Sequence, residues 1–268
     1  MSPITRSQRI FFGVICAAAL LVAVLGLFAP EYLATIFTWF VLPPLHARFL
    51  GAIYAFGAVF MLGCVTARRQ AEVRWAVLMI GIWTGMLFII SALHLDTFDF
   101  SATPTLIWFA SYLIYPLLAV VLIVRHRSEA QSFDLPGATL PRWVRGFLLT
   151  QGILMTVLAL GLFFASDALS AAWPWSVTPF LAQAYAGPLL AYGLGSLLYP
   201  RQRRWLEVRA LIPGMFVFSA ATLVVSLVHN NLFSAAEFVD LLWFAAFGVA
   251  TLAFGWMTLR VVFLNRTV

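Results

Sequence analysis

The stretch 68–100 reads RRQAEVRWAVLMIGIWTGMLFIISALHLDTFDF, and it decides the fold. It opens on Arg68, Arg69 and Arg74 around Glu72, continues through 75–95 without Asp, Glu, Lys or Arg, and closes on Asp96 and Asp99. An apolar run of that length crosses the hydrocarbon core of a bilayer as a helix, the one open structure that satisfies its own backbone there. Arginine at one end and carboxylates at the other give the crossing a direction, because cytoplasmic loops carry the excess of basic residues.

The same stretch also matches a later part of the chain. A shift of 135 positions aligns Arg68-Arg69 with Arg203-Arg204, Glu72-Val73-Arg74 with Glu207-Val208-Arg209, and Ser91 and His94 with Ser226 and His229. The register extends outward without a gap. Gly26-Leu27-Phe28 meets Gly161-Leu162-Phe163, Pro44 meets Pro179, Phe98 meets Phe233, and Trp108-Phe109-Ala110 meets Trp243-Phe244-Ala245. Apolar similarity alone does not align Arg, Glu, His, Pro and Trp in one register, so the sequence reads as a tandem duplication.

Further apolar runs lie near 10–29, 46–66, 104–124, 146–165, 180–200, 208–229 and 238–258. The expectation is an all-α membrane protein of about eight transmembrane helices, two copies of a four-helix unit. The units span 1–127 and 143–268, with a polar cytoplasmic linker at 128–142. An even number of helices per unit makes the repeats parallel, related by an axis along the membrane normal. The run at 10–29 follows Arg6 and Arg9 as a signal peptide would, yet Leu27-Phe28-Ala29-Pro30 is a poor cleavage site. Its counterpart at 146–165 lies mid-chain, so it reads as a helix.

Composition agrees. Charged residues are 10% of the chain and hydrophobic ones 63%, whereas a soluble domain carries about 25% charge. Lipid must therefore be the solvent for much of the surface, and short loops leave no room for a soluble domain. The net charge of +6 comes entirely from arginine. Arg6, Arg9, Arg68, Arg69, Arg74, Arg125, Arg127, Arg142, Arg145, Arg201, Arg203, Arg204, Arg209, Arg260 and Arg266 all fall on one side of the expected topology. That side is the cytoplasm, with both termini in it. The clustering explains the basic balance without nucleic acid and leaves the lipid bilayer as the partner. The other side holds Glu31, Asp96, Asp99, Asp167, Glu237 and Asp240, and Arg48 alone among the arginines.

Several chemistries find no motif. There is no Gly-rich phosphate loop, no His-Glu-x-x-His, no Cys-x-x-Cys and no Gly-x-Ser-x-Gly. Cys16 and Cys64 sit in apolar runs and read as buried and inert. The cofactor, if any, is not legible. Intramembrane carboxylates are missing from the helix centres, which argues against an energised pump.

The candidate site lies at the outer ends of the helices. Arg48 stands against the positive-inside trend and needs a partner, with Asp96 or Asp99 the expected carboxylate. His46 is two residues away. His94 and His229 are equivalent in the repeat, and a pseudo-twofold axis would bring them near one another. They read as metal or haem ligands, as a proton relay, or as structural hydrogen-bonding groups. The copies diverge here: His46, Arg48, Asp96 and Asp99 correspond to Leu181, Gln183, Asn231 and Ser234. His94 with Asp96 and Asp99 also offers a weak divalent-cation spacing. Glu72 and Glu207 read as helix-start residues complementing the dipole. Gly51, Ala55, Gly81, Gly85, Ala191 and Gly195 read as helix-packing positions, and Pro116 and Pro213 as kinks. Phe37, Trp39, Trp173 and Trp175 suggest interfacial segments on the outer membrane face.

At Pro44, Ala47, Phe49-Leu50-Gly51-Ala52 and Tyr54, then Leu93-His94-Leu95-Asp96-x-Phe98-Asp99-Phe100, the chain resembles a group of uncharacterised multi-pass membrane proteins of actinobacteria and related bacteria. The resemblance covers mainly the first unit and implies no activity. It points to a bacterial plasma membrane and to the outer ends of the second and third helices.

The expectation is therefore a plasma-membrane protein that binds or transports a small anion or amphiphile. Its outward-facing site would lie between the repeats, around Arg48, His46, His94, Asp96, Asp99, His229, Gln183 and Asn231. A redox or metal/haem protein using His94 and His229 is the alternative, and a structural scaffold the third reading.

Overall fold

The computed structural model describes residues 3–125, 138–198 and 204–265. Arg127, Arg201, Arg203, Arg266 and positions 128–137 of the expected linker lie outside the described residues. Among those described, the chain is helical throughout: α1 Arg6–Phe28, α2 Pro30–Ile36, α3 Pro44–Thr66, α4 Gln70–Leu93, α5 Thr103–Arg125, α6 Arg142–Phe164, α7 Ser166–Ala171, α8 Pro179–Leu198, α9 Trp205–Val208, α10 Leu211–Val228 and α11 Phe238–Asn265. Single 3-10 turns follow α4 at Leu95–Thr97 and α10 at Asn230–Leu232.

Local chemistry sets the ends. The Thr5 hydroxyl accepts from the Gln8 amide while Gln8 Oε1 accepts from the Thr5 N–H, a reciprocal cap that starts α1. Pro30 and Pro44 open α2 and α3, where a missing N–H costs nothing. Buried Glu72 accepts from the backbone N–H of Arg68 at 3.2 Å and of Arg69 at 3.0 Å, and so serves the start of α4. Glu207 accepts from the Arg204 N–H at 3.3 Å at the start of α9.

Pro213 explains a difference between the halves. It cannot donate back to Arg209. The chain accordingly breaks into α9 and α10, where α4 is continuous through the matching Leu78.

Among the described residues seven helices, Trp75–Leu93 of α4 included, are long and apolar enough to cross a membrane. The chain is thus built as a multi-pass integral membrane protein. Helix α8 has the length, but Gln183, Pro188 and three glycines dilute its apolarity. Like α3, it has most of its side chains buried against other helices rather than offered to lipid. At the periphery, α1, α5, α6 and α11 expose apolar side chains such as Leu21, Val124, Leu154 and Leu252, as a lipid-facing surface does.

The helices do not pack half by half. Helix α3 lies on α1 and α10, and α4 lies on α5 and α8, whereas α3 and α4 touch each other little. Two rows result, α1–α3–α10–α11 and α6–α8–α4–α5, each drawing helices from both halves of the sequence. Small residues permit the close crossings. A Cβ on Gly26 would stand 2.7 Å from the Cα of Gly51, and one on Gly51 2.7 Å from the Leu27 nitrogen, so α1 and α3 meet backbone to backbone.

Arginine and its partners tie one end of the bundle. Arg9 donates to the Val65 and Ala67 carbonyls at 2.6 and 3.1 Å. Arg209 donates to the Thr66 carbonyl at 3.3 Å, and its Nε stands 3.0 Å from a Glu72 carboxylate oxygen. The Gln8 and Gln70 side chains are hydrogen-bonded in the same layer.

Candidate functional site

The opposite end carries the histidines. Helix α10 stops at Val228, so His229 caps it, and the α3–α10 contact sets it beside Arg48 in the first turns of α3. Arg48 Nη1 donates to His229 Nε2 at 2.6 Å. A lone pair engaged there leaves the imidazole proton on Nδ1. Partial burial, with the Arg48 charge as the smaller cause, holds the His229 pKa below its ordinary 6.5, which keeps the ring neutral as acceptor.

His94 caps α4 in the same way, and the α4–α8 contact sets it beside Gln183. His94 Nε2 donates to Gln183 Oε1 at 2.6 Å, and the Gln183 amide donates to the Phe163 carbonyl at 3.1 Å. Positions 48 and 183, like 94 and 229, are 135 apart. The two contacts are one bond made twice, each across the halves, once with arginine and once with glutamine.

This corrects the partner expected for Arg48. Asp96 and Asp99 follow α4, which neighbours α8 rather than α3, and no carboxylate reaches the guanidinium among the described residues. Asp99 instead accepts from the N–H and hydroxyl of Ser101 at 2.9 and 2.7 Å, a turn that leads into α5. Those bonds hold its carboxyl below the usual range. Asp96 and Asn231 stand exposed on the 3-10 turns. His46 is buried in the first turn of α3, its ring 6.3 Å from that of Trp175.

Among the described residues no three of His, Cys, Asp and Glu gather into a metal-binding group. The Nε2 atoms of His94 and His229 are engaged with different partners.

The loop aromatics differ from expectation too. Phe37, Trp39 and Trp175 are buried rather than laid on a membrane face. Trp39 packs 5.1 Å from Trp108 and 5.3 Å from Phe98, while Trp175 lies 5.0 Å from Trp243 and 5.3 Å from Phe49. Burying an aromatic surface against other rings gains more than leaving it at a boundary.

A well-formed concave feature lies elsewhere, in the first half. Because α1 leans on α3 and α5 on α4, a cavity of about 450 Å³ remains between α1 and α5. That volume falls within the range of small-molecule sites. Its walls are almost wholly apolar and include no Arg, Lys, His, Asp or Glu. Leu33, Ile36 and Phe37 close it at the histidine end. Phe11 and Tyr115, with ring centroids 6.4 Å apart, link α1 to α5 toward the arginine end. Leu21 and Ile107 line the cavity and are each 61% exposed, so its mouth opens sideways at the apolar surface.

The polar groups in this apolar wall include the side chains of Tyr54, Thr84, Thr103, Trp108, Ser111, Tyr112 and Tyr115. The hydroxyls of Tyr54 on α3 and Tyr112 on α5 are hydrogen-bonded to each other, and both residues are buried. The Trp108 indole, also on the wall, donates to Ser91 Oγ at 2.8 Å, and the Thr84 hydroxyl to the Ile80 carbonyl at 2.6 Å.

Sequence reasoning did not single out Tyr54 and Tyr112 as a pair. The 135-residue shift carried the signal: their counterparts are Leu189 and Phe247, so both hydroxyls are absent from the second half together. Gly57, also on the wall, corresponds to Tyr192.

No protein-family model, no curated protein and no solved structure matches the chain.

Proposed function

We propose that this is a bacterial plasma-membrane protein that binds an amphiphile, taking the apolar part of the molecule sideways from the bilayer into the cavity between α1 and α5. The cavity itself carries the reading: it is apolar, of ligand size, and open toward the surface that lipid would cover. Of the two ligand classes expected from sequence, the amphiphile is favoured over the small anion. Arg48 is already paired with His229, and the cavity wall holds no cation.

The finer architecture belongs to the same proposal. The chain crosses the membrane eight times, with α8 and the α9–α10 pair as the sixth and seventh crossings. It is a duplication of one four-helix unit over 1–127 and 143–268, joined by a linker at 128–142, with arginine face and termini in the cytoplasm. Bonds that recur 135 residues apart support it. His94–Gln183 matches His229–Arg48, and Trp108–Ser91 matches Trp243–Ser226.

A diazirine-bearing hexadecanol tests the binding reading on purified protein in detergent. Labelling of 15–25 and 103–115 should saturate with probe and fall when unlabelled hexadecanol is added. Labelling of the lipid-facing α11 should rise linearly. Ala18→Trp, which sets a large ring at the exposed lip of the cavity, should remove the saturable part. Non-saturating labelling of all helices would overturn the reading.

A further inference from the structure

We infer that the cavity selects a neutral lipid carrying a hydrogen-bond acceptor oxygen, an ester, ketone or ether, which the Tyr54–Tyr112 pair recognises by donation. The inference rests on the cavity being a ligand site and names the ligand it takes.

Two phenols carry two O–H hydrogens, and their mutual bond uses one. The second hydrogen finds no acceptor in the protein: neither hydroxyl makes another hydrogen bond among the described residues. Both tyrosines are at least nine-tenths buried and line the cavity. A donor left unsatisfied in an apolar wall is costly, and a ligand oxygen removes that cost. Of the other wall donors, Trp108 is spent on Ser91 and Thr84 on Ile80, while Thr103, Ser111 and Tyr115 are exposed or half-buried residues and so carry a smaller desolvation cost than the buried pair.

Charge narrows the class. The wall offers no cation to a carboxylate or phosphate and no anion to an amine, and an unpaired ion in such a site is strongly disfavoured. The part of the ligand inside is therefore uncharged.

The other half of the chain supplies an independent observation. Gly57 lines the cavity beside the pair with the Trp83 ring against it, 3.2 Å from where a Cβ would stand, and the second half has instead the Tyr192 ring, packed 5.3 Å from Phe56 and 5.7 Å from Phe218. There the hydroxyls are replaced by Leu189 and Phe247. The donor pair is present where there is space for a ligand.

The test displaces the saturating diazirine probe with methyl oleate or with the hydrocarbon 9-nonadecene, which has no acceptor. Wild-type protein should release the probe at roughly one-tenth the concentration of methyl oleate that 9-nonadecene requires, as one hydrogen bond allows. The double variant Tyr54→Phe/Tyr112→Phe should bind the hydrocarbon as before and lose the tenfold preference. Both substitutions are needed, since either hydroxyl alone could donate. Phenylalanine already stands at position 247, the counterpart of Tyr112, so the fold accommodates that ring.

Equal displacement by the two probes in wild-type protein, with binding still abolished by Ala18→Trp, would overturn the inference and leave the amphiphile site standing. A preference that survives the double variant would also overturn it. Absence of saturable labelling would sink the site and the inference together. The wild-type comparison decides the matter even if the double variant fails to fold.

Discussion

Residues 6–125 and 142–265 pass through nearly the same order of helices, yet they use their interiors differently. The first half encloses a cavity with a tyrosine pair on its wall. At the matching positions the second half carries Leu189, Tyr192 and Phe247 in place of Tyr54, Gly57 and Tyr112. What the halves share is concentrated in groups that fix the fold: Glu72 and Glu207 at helix starts, Ser91–Trp108 and Ser226–Trp243 between neighbouring helices, His94 and His229 across the halves. Likeness between the halves falls on groups that hold helices together, and unlikeness falls on the cavity wall.

The largest effect expected from breaking this comparison is at the α1–α3 crossing. Gly51→Leu puts side-chain atoms where a Cβ already stands 2.7 Å from backbone. The cost exceeds the roughly 1–3 kcal/mol of ordinary overpacking, and no monodisperse protein should elute from a sizing column. The matching Ala186 shows that the second half tolerates a Cβ at its own crossing.

Next in size is Glu72→Ala. It strips a buried acceptor from two backbone amides and leaves Arg209 without its carboxylate. About 3–5 kcal/mol is expected for breaking a buried charged pair. Glu207→Ala should also destabilise strongly, read by thermal unfolding of the purified protein. A neutral result at either position would refute the view that shared residues carry the fold.

A smaller effect separates the two histidine bonds. The folded-state pKa of His229 lies below 6.5, so on acidification the unfolded chain takes up the proton first. Stability is then unaffected above about pH 6.5 and falls as pH drops from there toward the lowered value. His229→Gln should remove that contribution. Arg48→Gln, which copies Gln183 into the first half, should shrink it by removing the neighbouring cation. An unchanged slope of melting temperature against pH in the His229 variant would break the assignment.

The smallest effect should be equal in both halves. Trp108→Phe and Trp243→Phe each remove one indole–serine hydrogen bond of 2.8 or 2.9 Å. A loss of about 1 kcal/mol is expected for each. A clear inequality would show that one of these tryptophans does more than hold its helix.

Much of the fold was legible in the sequence because bilayer thickness and the distribution of arginine act on short windows. Run lengths located most of the long helices to within a few residues, although α4 starts at Gln70, before the run at 75, and α11 continues to Asn265, past the run ending at 258. The shift of 135 paired His94 with His229 and Arg48 with Gln183 before any contact was known. Partners across the bundle were not legible, because a repeat does not say which helix lies beside which. Arg48 was therefore matched with Asp96 or Asp99, when α10 and not α4 is its neighbour. Pro213, legible as a kink, interrupts the hydrogen-bond ladder between α9 and α10 while Arg209 and Ala210 keep helical backbone angles. Trp39 and Trp175 were read from their position in loops, and no local pattern reveals that those loops fold inward over the helix ends. The cavity depends on the gap between α1 and α5, a tertiary quantity to which no single residue testifies.

The interleaved rows bear on how such a chain is made. As the ribosome feeds it into the membrane, α3 and α4 emerge with their partners α10 and α8 still unsynthesised. Surfaces built to meet protein must first meet lipid, and Arg48 waits at the start of α3 without its histidine. A truncated product ending after the first half would carry those orphaned surfaces as a degradation signal, while two separately expressed halves hold everything needed to find one another.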